Sequence, residues 1–146
     1  MNRHRYLAVV ATLTWAGWGL GGGVEGERAK LQGTWKVVEL TKEGKQEAAA
    51  ADKNMRMVFA GDKFMMKGSD ADYEGTFTLD PSKNPKRLDT RVVHGKDKVI
   101  TTQGIYRLEG DTLKIAWTEG KAERPQEFAV KPGSGVRMIV LKRAGR

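Results

Sequence analysis

The chain carries two histidines, no cysteine and 18 acidic residues, and these set the chemistry open to it. His4 lies in the basic start of the sequence, so His94, followed by Gly95 and Lys96, is the one imidazole of the main domain. A Ser-His-Asp arrangement would have to use it. The serines at Ser69, Ser82 and Ser134 fall among Gly, Pro, Asn and Asp, where a hydroxyl ordinarily bonds its own turn. Asp62, Asp80, Asp97 and Asp111 occupy turn positions of the same kind. Glu39 and Glu74 lie inside strand-like runs and are read as facing outward. The pattern therefore offers no carboxylate pair set across a cleft, as glycoside hydrolysis requires. No clustered His/Asp/Glu set has metal-ligand spacing, and without cysteine there is no thiolate, disulfide or iron–sulfur chemistry. Gly133-Ser134-Gly135 is too short for a phosphate loop and lacks its strand–loop–helix setting. No catalytic residue, metal or cofactor is expected, and His94 is expected to be a solvated loop residue.

The remaining chemistry is non-covalent. Met55, Met57, Met65, Met66 and Met138 are adaptable apolar side chains suited to irregular ligands or irregular cores. Trp35, Trp117, Tyr73, Tyr106, Phe64, Phe77 and Phe128 could line a pocket or fill a small barrel.

The elements that must position these residues have a period of two. Met55, Met57 and Phe59 alternate with Arg56 and Val58; Tyr73, Gly75, Phe77 and Leu79 with Glu74, Thr76 and Thr78. Ile100, Thr102, Gly104, Tyr106 and Leu108 share one face, as do Leu113, Ile115 and Trp117, and Val136, Met138 and Val140. Half-buried strands have this pattern. Gly61-Asp62 and Gly110-Asp111 read as two-residue hairpin loops. Eight strands are expected, at 34–41, 54–60, 62–67, 73–80, 87–93, 99–109, 112–118 and 136–142, with 126–131 as a ninth candidate. The four alanines within Gln46–Lys53 predict one short helix after the first strand. The expected fold is an all-β, up-and-down antiparallel barrel or a strongly bent sandwich. Two similar runs, Glu74–Leu79 and Gln103–Leu108, place glycine in mid-strand, where it permits coiling or the close approach of a neighbour.

Residues 1–23 differ from the rest. Arg3 and Arg5 precede an uncharged stretch, Leu7–Leu20, which ends in Gly21-Gly22-Gly23. That is the pattern of a secretory signal peptide, with cleavage expected after Gly23 or as far on as Ala29. The uncharged stretch is short for a permanent anchor. One domain is expected over residues 30–146, exported to the periplasm or outside the cell and without a transmembrane helix once processed. The formal charge of +8 favours anionic partners. The densest basic group, Lys83, Lys86, Arg87 and Arg91, has no aromatic to stack on a base, so nucleic acid is not expected.

Gly33-Thr34-Trp35, at the start of the first strand, resembles the G-x-W motif that opens the lipocalin barrel. The resemblance implies that Trp35 closes one barrel end and that Lys142 or Arg143 packs across it. Glu74–Pro81, Gly104–Leu113, Glu123-Arg124-Pro125 with Phe128, and Lys131–Gly135 follow in order. Together they resemble a small, uncharacterised lipocalin-like domain family of planctomycete-type bacteria, over about Leu31 to Arg143. It implies a fold and an envelope location but no activity.

Two readings of function follow. In one, the barrel holds a small apolar or amphipathic molecule, with Met57, Phe59, Tyr106, Ile115, Trp117 and Met138 facing inward and Tyr106 or Trp117 orienting one polar group. In the other, the core is filled and the basic surface binds an anionic envelope component or a protein. A cavity above about 300 Å³ favours the first. Titratable groups converging in a cleft would revive an enzyme.

Overall fold

The computed structural model describes residues 23–46, 54–68 and 72–144. A short helix, α1 (Val24–Leu31), leads into nine strands: β1 (Gly33–Lys42), β2 (Lys45–Gln46), β3 (Arg56–Ala60), β4 (Lys63–Lys67), β5 (Tyr73–Asp80), β6 (Lys86–His94), β7 (Lys98–Glu109), β8 (Thr112–Glu119) and β9 (Arg137–Arg143). Every pairing is antiparallel. β9 bonds both β8 and β1, so eight strands close on themselves, while β2 pairs only with β1. Closure leaves those eight strands no free edge. The hairpins at Gly61-Asp62 and Gly110-Asp111 join β3 to β4 and β7 to β8 with Ala60 opposite Lys63 and Glu109 opposite Thr112. Both glycines take the positive φ that such loops require.

The inward face follows the alternation. Trp35 and Val37 are buried on β1, then Leu40. The change of phase comes from a bulge between Val37 and Glu39, which turns Val38 outward and brings Leu40 and Lys42 onto the inner face. Gly104 is where two neighbouring backbones crowd β7: a Cβ there would lie 2.8 Å from the Ala116 carbonyl oxygen and 2.9 Å from that of Leu88.

On β9 the phase is opposite to the one expected. Ile139 and Leu141 are buried in the core, and Met138 and Val140 are half-exposed. Both sets are apolar, so alternation could not choose between them; the register with β8, Ile115 to Ile139 and Leu113 to Leu141, does. Met138 instead continues an outer row with Ile105 and Ala116, both buried although they face away from the lumen. The chain between β8 and β9 is anchored on this outer face. Thr118 donates to the carbonyl of Glu123 at 2.9 Å, Arg124 pairs with Asp89 and donates to the Gly104 carbonyl at 2.8 Å, and Phe128 lies under Arg107. Residues 126–131 form no strand there.

Gln46 belongs to β2, and the rest of the helix expected over Gln46–Lys53 lies outside the described residues, as do residues 1–22 of the expected signal peptide. Among the described residues no helix is long and apolar enough to cross a membrane.

Candidate functional site

One end of the barrel is sealed. Trp35 is fully buried, with its indole N–H donating to the Leu31 carbonyl at 2.8 Å. Its strand partner Arg143 lays its guanidinium 4.2 Å from the ring centroid. Arg143 also donates to the carbonyls of Gln32 and Lys30, at 3.2 and 2.7 Å, where α1 ends. Those carbonyls have no partner within the helix, and a planar cation satisfies two of them at once. Lys142, the other basic residue considered for this place, is exposed and opposite Lys36. Gly33 takes a φ of 112°, which a residue with a Cβ rarely adopts. Phe59 and Phe77 meet edge to face, 5.0 Å between centroids, in the same layer.

The plug is pinned by a carboxylate. Glu27 on α1 is 5% exposed, and its oxygens accept from the Tyr106 hydroxyl at 2.9 Å, from Lys86 Nζ at 2.6 Å and from Lys30 Nζ at 3.0 Å. Burial alone would raise its pKa; the bonds from Lys86, Lys30 and Tyr106 outweigh that and bring it from 4.5 down to about 2. Burial, together with the bond to Glu27, pushes the Tyr106 hydroxyl well above its ordinary value.

Among the described residues the other end is open. A cavity of about 420 Å³ runs down from the mouth. Its floor and walls are apolar, from Leu40, Met55, Met57, Phe64, Met66, Leu88, Val92, Ile100, Ile115, Trp117 and Ile139. Two hydroxyls interrupt them: Thr90 and Thr102, opposed on β6 and β7, with their Oγ1 atoms 2.6 Å apart. Five side chains form the rim: Lys42, Tyr73, His94, Glu119 and Arg137. Arg137 Nη1 donates to Glu119 Oε1 at 2.6 Å, and the rings of Tyr73 and His94 lie 6.4 Å apart. The Tyr73 hydroxyl is pushed up from its ordinary pKa by burial and by the charge of Glu119, with Arg137 opposing.

Of the six residues expected in a pocket, Met57, Ile115 and Trp117 line the cavity. Phe59 and Tyr106 belong to the sealed end, Phe59 in the aromatic layer and Tyr106 on Glu27. Met138 lies on the outer row. His94, expected in a loop, is the last residue of β6 and stands on the rim. Thr102, expected on one face with Ile100 and Tyr106, and Tyr73, named among the aromatics that could line a pocket, are in the wall and rim; Thr90, His94 and Glu119 escaped the sequence, although each continues an inward alternation, from Leu88, Val92 and Trp117. Lys42 could not be reached that way, because the bulge interrupts β1. Among the described residues no group of three or more His, Asp or Glu is placed to hold a metal ion.

Comparison with curated proteins and with solved structures returns no match. The family model for a domain of unknown function, DUF5004, matches residues 20–136, which include α1, every strand of the barrel up to β8 and the segment that leads into β9. By that match this closed eight-stranded barrel, plugged at one end by α1, belongs to the DUF5004 family.

Proposed function

We propose that this domain is a binding module, part of an exported protein, that holds a small apolar or amphipathic molecule inside the barrel without transforming it. One observation carries the reading: a cavity of about 420 Å³, apolar below and polar at its mouth, in a barrel whose opposite end is sealed. Ligand sites range over about 300–1,000 Å³ and combine apolar walls with a few placed polar groups. A filled-core interaction domain has no reason to keep such a volume open, since packing it would add stability. The resemblance to lipocalin-like domains supports the same reading, through the up-and-down closed barrel and the Trp35–Arg143 end.

Titratable groups do gather at the mouth. Glu119 is engaged by Arg137, and His94 stands beside Tyr73 with their rings 6.4 Å apart. Export rests on the Arg3-to-Gly23 pattern.

The test is a titration of the purified protein with hydrophobic fluorescent dyes and fatty acids. Saturable binding tighter than about 10 μM, weakened by Ile100→Trp in a protein that unfolds at the same midpoint, is the expected result. Absence of saturable binding across the set would overturn the reading in favour of a surface that binds from outside.

A further inference from the structure

Like-charge strand pairings recur in this barrel, as at Lys36–Lys142, Arg56–Lys67 and Arg107–Lys114, but one of them lines the cavity at its mouth. Lys42 on β1 and Arg137 on β9 are directly opposed in register, and both side chains line the cavity. Like charges placed opposite one another weaken a strand pair. Glu119, next around the barrel on β8, answers Arg137 at 2.6 Å. Among the described residues the charged lining is then two cations and one anion, a net positive balance.

Polarity falls stepwise below the rim. The Thr90–Thr102 hydroxyl pair has two protons, and only one can lie in the bond between the oxygens; the other is free to point into the lumen. The rest of the lining includes Met57, Phe64, Met66 and Ile139, without a charge. A molecule matching this gradient has one negative end and one apolar end. The charged end would not have to be fully dehydrated, because Arg137 and Glu119 keep side-chain exposures of 40% and 43%. At about 420 Å³ the cavity is near the small end of ligand sites, which favours a single short chain or one ring system over a two-chain lipid.

We propose that the ligand is a small amphipathic monocarboxylate, its head between Lys42 and Arg137 and its body on the methionine-rich floor; this rests on the reading of the barrel as a binding module. The bound carboxylate stands beside Lys42, which among the described residues has no carboxylate partner, and beside an Arg137 that it shares with Glu119. The positive rim selects against a cationic head, and an uncharged head forgoes the Coulombic part of the attraction.

The test keeps the chain constant and changes the head. Decanoate, decanol and decyltrimethylammonium are titrated calorimetrically into the full-length protein, at low salt and at about 0.5 M salt. Decanoate should bind roughly tenfold tighter than decanol, with the cation weakest, and the advantage should shrink in high salt. In Lys42→Gln/Arg137→Gln the advantage should vanish while decanol affinity holds. Lys42→Gln alone should lose part of it and should unfold at an unchanged or higher denaturant midpoint, because it removes the like-charge pairing. Equal affinities, a preferred cation, or a carboxylate preference that survives the double substitution would overturn the head-group assignment and leave the binding module standing. Failure of all three probes to bind saturably would overturn both.

Discussion

Arg143 lies with its guanidinium 4.2 Å from the centroid of the Trp35 ring, and the two residues are also directly opposed partners on β9 and β1. The contact joins the last strand to the first, so the ends of the barrel sequence close the barrel and its plug together. Trp35→Ala should destabilise the protein by about 3–5 kcal/mol in chemical denaturation, as truncation of a buried Trp does. Arg143→Lys keeps the charge but loses the planar fork that serves Gln32, Lys30 and the ring. A loss of about 1–2 kcal/mol is expected, made up of the stacking and one hydrogen bond. Wild-type stability in Arg143→Lys would show that charge alone suffices.

Glu27 makes stability depend on acid. Its folded pKa is lowered to about 2 from 4.5, so its contribution is complete above about 4.5 and is lost as pH falls from there through about 2. Glu27→Gln keeps an acceptor for Tyr106 but cannot titrate. The difference in unfolding free energy between wild type and Glu27→Gln should therefore be constant at neutral pH and shrink between about pH 4.5 and 2. A difference that stays flat through that range would place the carboxylate outside the bonded cluster.

Gly104 tests the closeness of β6, β7 and β8. Alanine there would bring its Cβ within 3 Å of two backbone carbonyl oxygens, neither of which can rotate away. Gly104→Ala should cost about 1–3 kcal/mol, the range for overpacking, measured by urea unfolding. A neutral result would mean the sheet is more open at this point than described.

The sealed end also bears on processing. Glu27 and Leu31 are buried parts of α1, so removal of residues beyond Gly26 would strip the carboxylate from Tyr106 and Lys86. Mass spectrometry of the protein from its own host should find a mature terminus at or before Glu27. A terminus at Ala29 or Lys30 would show that the plug is dispensable.

Much of the barrel could be read from the residues alone. Alternating runs such as Tyr73–Asp80 and Leu113–Trp117 declare a strand because a half-buried sheet must separate apolar from polar faces every second residue. Gly61-Asp62 and Gly110-Asp111 declare the turns because few residues tolerate the φ involved. Trp35 and a basic partner at the chain's far end were recognisable as a pair from the G-x-W resemblance. Where both phases of a strand are apolar, as at Met138 and Ile139, period two is silent, and the register with β8 alone decides which set enters the core. The depth of a residue along the barrel is equally invisible: Met57, Phe59, Tyr106 and Ile115 share an inward phase, yet Met57 and Ile115 line the cavity while Phe59 and Tyr106 seal the opposite end. The meeting of Lys42 with Arg137 needed the bulge at Val37–Glu39 and the closure of β9 on β1. Local chemistry determines which residues form strands and turns; which side chains share a mouth depends on stagger, bulge and closure, and those are set by packing between strands far apart in the chain.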